Sequence, residues 1–346
     1  MDRLKKIISN FKNSNILIVG DLILDEYISG NVDKISPEAP VPVVWAKKRN
    51  YMPGGACNVA SNISSLGAKV SIIGVVGWDV NAEILLAELK NRNIDTSGIL
   101  KDSKRPTTLK TRIVAQHQQV VRVDWEGAEG IYDSLTTKIA SFIKKNMDRF
   151  DAIIIEDYGK GVITSSLLRK IASFVSQKKK LITVDPKEDH FGMYKDLKIT
   201  AITPNRKETE NAIRNIKIAD ENNKLKIKSD KLKTKKDIIM AGRDLLRYLD
   251  SQAVLITLGE EGMRLFQKKS PDTPISTVAQ EVFDVSGAGD TVIAVFTLAL
   301  ASGANMLEAA YISNYAAGIV VGKVGVATTT QAELLNRIKL KKSKGN

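Results

Sequence analysis

Residues Val282-Phe283-Asp284-Val285-Ser286-Gly287-Ala288-Gly289-Asp290-Thr291 lead straight into Val292-Ile293-Ala294-Val295-Phe296-Thr297-Leu298-Ala299-Leu300. The second run reads as a buried helix, and the first as a turn-prone approach to it. Gly287, Ala288 and Gly289 carry almost no side chain, so an anion can come close to their backbone N–H groups. At a helix N-terminus those donors are unpaired and the helix dipole favours negative charge. Asp290 then sets a carboxylate beside the anion site. It would repel a resting phosphate unless its task is to take a proton from the hydroxyl attacking that phosphate. The competing account is an ordinary strand-to-helix turn in which Asp290 caps the helix. The rest of the chain decides between them.

Upstream, short apolar runs repeatedly end in polar turns. Asn15–Val19 ends in Gly20-Asp21, and Ala152–Ile155 in Glu156-Asp157-Tyr158-Gly159-Lys160-Gly161. Leu181–Val184 ends in Asp185-Pro186-Lys187, Ile199–Thr203 in Pro204-Asn205-Arg206-Lys207-Glu208, and Val254–Thr257 in Leu258-Gly259-Glu260-Glu261-Gly262. Strands alternating with helices imply a parallel sheet covered on both faces, with ligands bound at the carboxyl ends of its strands. Any one acidic residue there can be a helix cap; so many together favour a site. Val70–Asp79 is a further strand and turn, followed by an amphipathic helix from about Ala82 to Lys90.

Other segments break that rhythm. Met52-Pro53-Gly54-Gly55-Ala56-Cys57-Asn58-Val59-Ala60-Ser61-Asn62 pairs two glycines with a small-residue helix, either a ligand-facing backbone or a plain glycine turn. Ser36–Val44 is too rich in proline for a central strand and suits an edge strand or lid. Leu109–Val114 and Gln119–Asp124 alternate apolar and polar residues around Ala115–Gln118, an antiparallel hairpin with one wet face. With Val41–Val44 it forms a small sheet whose exposed side seeks cover from substrate or a second subunit.

Bulk properties narrow the function. The 346 residues and 43% apolar content support a large core. No apolar run approaches the roughly 20 residues of a membrane span, and the first residues lack the pattern of a secretory signal. One cysteine, Cys57, fits a reducing cytoplasm, and His117 and His190 have no ligand-spaced partners for zinc. The net charge of +13 sits mainly in Lys217–Lys236 (net +5) and in the tail Arg337–Asn346 (net +5), leaving +3 elsewhere. Neither basic segment interleaves aromatics for base stacking, so a solvated loop, partly helical after Lys231, and a solvated tail are expected rather than a nucleic-acid site.

On the Gly54-Gly55 stretch, the Asp284-to-Asp290 stretch and the N-x-x-E segment Asn205–Glu208, the chain strongly resembles the ribokinase/PfkB family of sugar kinases, from about Asn15 to Thr330. Within it, Ile35–Val43 (ISPEAPVPV), Gln118-Gln119, Asp157–Gly161 and Asp185-Pro186-Lys187 are similar to bacterial D-glycero-β-D-manno-heptose-7-phosphate kinases. Bifunctional relatives carry a following nucleotidyltransferase domain. The chain stops at Asn346, so a stand-alone kinase is expected.

The resemblance implies a ribokinase-like three-layer α/β/α fold, a mostly parallel sheet with a small β-sheet lid, in a single domain over residues 1–346. The lid is expected from about 31–52 and 105–126, with a mobile lysine-rich loop at 217–236 and a basic tail at 337–346. It implies ATP and Mg²⁺ as cofactors. Asp290 would deprotonate the anomeric hydroxyl of heptose 7-phosphate, and Gly287, Ala288 and Gly289 would form the anion hole. Asp21, Gly54, Gly55, Asn58 and Asp157 would hold the sugar. Asn205 and Glu208 would organise phosphates and Mg²⁺ through water, with Arg206 and Lys207 on the same nucleotide side. Thr257, Gly259, Gly262 and Asn314 would contact the nucleotide. Asp284 and Ser286 stand where some members border a monovalent cation. The 7-phosphate needs a cation; Lys110, Arg112, Lys160 and Lys187 are unranked candidates, each equally readable as surface charge.

No Walker A motif is present, so this is not a P-loop solution. Departures from the family are Cys57, a thiol that would make the enzyme sensitive to thiol reagents, Ser286 for threonine, and Glu156 where a small residue is usual. A cytoplasmic homodimer joined through the lid is expected, with no nucleic-acid or membrane partner. The rival readings are a kinase for another sugar or nucleoside, a silent sugar- or nucleotide-binding regulator, and a nucleic-acid binder acting through the basic segments.

Overall fold

A computed structural model describes residues 2–116, 118–127, 129–195, 197–219, 224–279 and 281–343, with side chains through 339. His117, residues 220–223 of the lysine-rich stretch and residues 344–346 of the tail lie outside the described residues. The strands are β1 Asn15–Gly20, β2 Leu22–Ile35, β3 Pro42–Gly55, β4 Lys69–Gly77, β5 Asp95–Asp102, β6 Thr108–Ala115 and β7 Gln118–Trp125. They continue as β8 Ala152–Glu156, β9 Leu181–Asp185, β10 Ala201–Ile202, β11 Ala253–Thr257, β12 Met263–Gln267 and β13 Ser270–Ile275.

Nine strands form the main sheet in the order β13-β12-β11-β10-β9-β8-β1-β4-β5. From β11 to β5 every neighbouring pair is parallel, and β12 and β13 close one edge antiparallel. Alternation along β1 shows the layering: Ile16 and Ile18 enter one buried cluster, Leu17 and Val19 the other. The first cluster holds the helices Ala56–Ser65, Ala288–Ala301 and Met306–Val320, and the second holds Asp133–Asn146, Ser165–Lys178 and Lys235–Tyr248. This is a three-layer α/β/α arrangement.

β2, β3, β6 and β7 form a second sheet in the order β3-β2-β6-β7, with β2–β3 and β6–β7 antiparallel and β2–β6 parallel. It takes in Leu22–Gly30, upstream of the expected lid, because Leu22–Glu26 is buried at its root before the strand emerges. The proline-bearing segment supplies its edge strand. β7 is exposed along its whole length, and Trp45 and Trp125, on the two opposite edge strands, are 71% and 62% exposed.

The lysine-rich stretch is tied down where it is described. Lys217–Ala219 finishes the helix Arg206–Ala219, and Thr234 opens the next helix with a capping box to Asp237. Between them Ile227 and Leu232 are buried, and the amides of Lys226 and Ile227 donate to Asp244 Oδ2 at 2.6 and 2.8 Å. The expectation of a free loop overlooked these two apolar anchors among the lysines.

Candidate active site

Asp290 lies in the first turn of Ala288–Ala301 and is buried. Gly287 precedes the helix at φ 75°, a conformation other L-residues rarely adopt, and an added Cβ would stand 2.6 Å from Asn58 Nδ2. Asn58 Nδ2 donates to Asp290 Oδ2 at 2.6 Å, and the Tyr158 hydroxyl donates to Asp290 Oδ1 at 2.8 Å. Burial raises the Asp290 carboxyl above the ordinary value, and these two donors pull against it. The Ala288 amide is taken by Val285 O at 3.2 Å. Val282 and Val285, from the approach to the helix, are exposed and line the neighbouring cavity.

Several residues expected on the sugar side turn out to hold the backbone around it. Asp21 Oδ2 accepts from the amides of Tyr158 and Lys160 and its Oδ1 from that of Val162, at 2.9 to 3.0 Å, so it clamps the loop that delivers Tyr158. Asp157 Oδ2 accepts from Tyr194 Oη at 2.6 Å and pairs with His190 Nδ1 at 2.8 Å, while its Oδ1 takes the Gly159 amide at 2.9 Å. The resemblance implied that both hold the sugar, and for Asp21 its place at a strand end pointed the same way. Neither reading could see amides of the following loop folding back onto them. Gly54 backs onto Asp25, where a Cβ would meet Oδ2 at 2.4 Å, and Gly55 opens the helix that carries Asn58.

The four cation candidates separate. Arg112 is paired with Asp25 beneath the small sheet and lies over the Tyr27 ring. Lys110 reaches Asp124 at 3.1 Å and Glu126 at 3.4 Å, and Lys160 reaches Glu126 at 2.5 Å, so both converge on one carboxylate. Lys187 packs along Gly159, and its nearest acid is Glu188 at 3.7 Å.

A cavity of about 500 Å³ is lined by Thr257, Gly259, Gly262 and Asn314 together with Ala288 and Gly289, the two residues before Asp290. The four residues expected to contact nucleotide are thus gathered around one space. Asn205 and Glu208 form a reciprocal cap: the Asn205 amide donates to Glu208 Oε2 at 2.8 Å, and the Glu208 amide to Asn205 Oδ1 at 2.9 Å. Burial and Glu188 push the Glu208 carboxyl up to about 7, against the Asn205 hydrogen bonds. Arg206 is tied to Glu261 and to Leu232 O, and Lys207 is exposed. Asp284 accepts from the Ser286 amide at 2.8 Å and from that of Gly325 at 3.2 Å, which draws its carboxyl down despite partial burial. Cys57 is fully buried and its thiol is pushed up to about 12 by burial, so the expected thiol sensitivity is not what this environment gives.

Tyr158, Asp25 and Asp185 were quoted or passed over without a role. Tyr158 stood inside the singled-out Asp157–Gly161 stretch. Asp25 sits in an apolar strand, and its partner lies 87 residues away. Asp185 lies beside Glu156 in the β8–β9 register, and ligand atoms of Glu156, Asp185 and Asp290 all lie within 4.8 Å of one another. The fit of a divalent cation rests on this excess of acid: Glu156, Asp185 and Glu208 are all raised by burial and by one another's or neighbouring negative charge.

Known proteins resemble the chain in sequence and in fold. Bifunctional protein HldE of Geobacter metallireducens is 42% identical over 331 residues, covering 96% of this chain and 64% of that protein. Bifunctional protein HldE of Aliarcobacter butzleri is 41% identical over 323 residues, covering 93% and 64%. The chain therefore spans somewhat under two thirds of the length of these relatives. In fold it is similar to Arabidopsis thaliana ribokinase, solved with ribose and ATP (TM-score 0.71, 18% identity, 94% of this chain and 99% of that one). It is also similar to Escherichia coli phosphofructokinase-2 (TM-score 0.75, 16% identity, 95% and 99%). Residues 13–333 match the model of the pfkB family of carbohydrate kinases, and the chain belongs to that family.

Proposed function

We propose that this sugar kinase transfers the γ-phosphoryl group of ATP to O1 of D-glycero-β-D-manno-heptose 7-phosphate. The product, heptose 1,7-bisphosphate, would serve ADP-heptose and lipopolysaccharide core synthesis. The observation that carries the transfer is Asp290, held by Asn58 and Tyr158 beside the cavity that Ala288 and Gly289 help line. The heptose assignment rests on the Ile35–Val43 wording and on the similarity to the HldE proteins.

In this reading Asp290 accepts the O1 proton as O1 bonds to the γ-phosphorus, and the bridging oxygen leaves with ADP. Asn58 and Tyr158 orient the carboxylate, and the amides of Gly287 and Gly289 would receive the charge of the moving phosphoryl group, the Ala288 amide being held by Val285 O. Asn205 and Glu208 would hold Mg²⁺ through water, and the ion supplies charge neutralisation on the phosphates when bound. Lys110 and Lys160, sharing Glu126, are the pair best placed to exchange that carboxylate for the 7-phosphate. The exposed edge strand β7 supports a homodimer through the small sheet, and a single buried cysteine supports a cytoplasmic setting.

The test is ADP release from Mg-ATP with heptose 7-phosphate offered beside ribose, fructose, fructose 6-phosphate and adenosine. Selective turnover of the heptose phosphate supports the assignment. Preference for another acceptor overturns the substrate and keeps the kinase, whereas silence with every acceptor despite ATP binding favours a regulator.

A further inference from the structure

The loop that brings Tyr158 to Asp290 runs between β8 and the helix Ser165–Lys178 and has no ladder of its own to hold it. Gly159 and Gly161 turn it at φ of 67° and 89°. Carboxylates fix its course instead. Asp21 takes the amides of Tyr158, Lys160 and Val162, and Asp157 takes the Gly159 amide between them at 2.9 Å. Whatever fixes those two side chains therefore fixes the reach of the Tyr158 hydroxyl to Asp290.

Asp157 is gripped from a different part of the chain, the segment after β9. Phe191 and Tyr194 are 2% and 0% exposed and meet edge to face at 5.9 Å, which anchors the short helix Phe191–Tyr194. From that helix Tyr194 Oη donates to Asp157 Oδ2 at 2.6 Å. His190, at its head, brings Nδ1 to the same oxygen at 2.8 Å, with the Asp157 side chain buried and the imidazole partly exposed. An ionised carboxylate only accepts, so Nδ1 carries the proton in the charged ring and in the neutral one alike. The bond to Asp157 raises the ring's titration above the ordinary 6.5 despite partial burial, and the charges of Asp157, Asp189 and Asp21 add to the rise.

We propose that His190 is a positioning residue for the phosphoryl transfer: through the Asp157 carboxylate it holds the 157–162 loop in the course that lets Tyr158 bond to Asp290. The ring touches neither Asp290 nor the cavity beside it. Its effect passes from Asp157 to the Gly159 amide and so to the neighbouring Tyr158. Removing the ring opens Oδ2 to water from its exposed side, and the loop loses the grip that ties it to the anchored helix. A histidine that only added stability would leave the titration of the base where it was.

The inference rests on Asp290 as the base and on no particular sugar, so ADP release is followed against pH with whichever acceptor turns over. H190A should lower kcat at least ~5-fold, keep KM for ATP within about 2-fold, and move the acid limb of kcat/KM to higher pH as Tyr158→Phe does. H190N, whose Nδ2 can stand where Nδ1 stood, should recover most of both effects. In the Tyr158→Phe background H190A should add less than ~2-fold, because its route to the base is already cut. If H190A does not fold, H190Q takes its place, keeping the bulk with its amide one carbon further out. The chain has two histidines, so His190 is also read directly by NMR of histidine-labelled protein, assigned by its loss in H190N. It should titrate above 6.5 in the wild-type chain. Wild-type kcat and acid limb in H190A, no recovery in H190N, full additivity with Tyr158→Phe, or a His190 titration at or below 6.5 would overturn the proposal. Failure of Asp290 as the base shows separately, as near-normal turnover in Asp290→Asn.

Discussion

Tyr158→Phe removes one hydroxyl, and the structure says what that hydroxyl does. It donates to Asp290 Oδ1 at 2.8 Å, and its own ionisation is pushed well up by burial and the Asp290 charge, so it remains a donor throughout the working range. A hydrogen bond to a charged group contributes about 1.5–3 kcal/mol. At 1.36 kcal/mol per unit, its loss lifts the Asp290 pKa by roughly 1–2 units. Asp290 is already above the ordinary carboxylate value, and as a base it must be ionised, so the acid limb of the kcat/KM profile moves to higher pH. The assay is ADP release against pH for both chains with the preferred sugar. A variant with unchanged circular dichroism, an unmoved acid limb and a normal plateau would show that Tyr158 does not set the base.

Three further outcomes follow from the same geometry. Asp290→Asn should lower turnover by at least ~10² with ATP binding retained, and near-normal turnover would remove its assigned role. Glu208 titrates at about 7 when folded against 4.5 ordinarily, so the folded state holds its proton more tightly. Stability is therefore full below 4.5 and declines as pH rises through about 7, by about 3 kcal/mol for this group. Urea unfolding of metal-free chain at pH 5 and 8 should show that decline and a flatter one in Glu208→Gln; equal slopes would refute it. Cys57 should resist an aromatic disulfide reagent at pH 8 in the folded chain and react at once in denaturant, and fast native labelling would contradict its burial.

The main sheet was legible because its strands are short apolar runs ending in turns, and the helix Ala288–Ala301 because it is apolar all round. Asp290, Asn58 and the Thr257–Gly262 turn were legible because glycines and small residues bracket them. Asp21 and Asp157 show where such reading stops. An acidic residue after a strand looks the same whether it faces a ligand or clamps the next loop, and the choice depends on backbone angles in residues 158–162. Asn205 and Glu208 were read as organisers of phosphate, and in the structure their spacing makes a helix cap. Ile227 and Leu232 were masked by surrounding lysines, and Asp25 by a partner 87 residues distant that no local pattern reveals.

β3 ends at Gly55, and the helix that carries Asn58 begins at the next residue, so the strand and the helix share a pivot. At about 3.3 Å per residue the 14 residues of β3 make a lever of roughly 45 Å. A swing of about 5° there would sweep the Pro42 end through some ~4 Å, while Asn58, a few ångströms from the fulcrum, moves by a few tenths. Any swing of the small sheet would thus move the long arm far while the short arm keeps its grip on Asp290. Substitutions at the Pro42 end should then act on capture and release of substrate, and those at Gly54 and Gly55 on the chemical step itself.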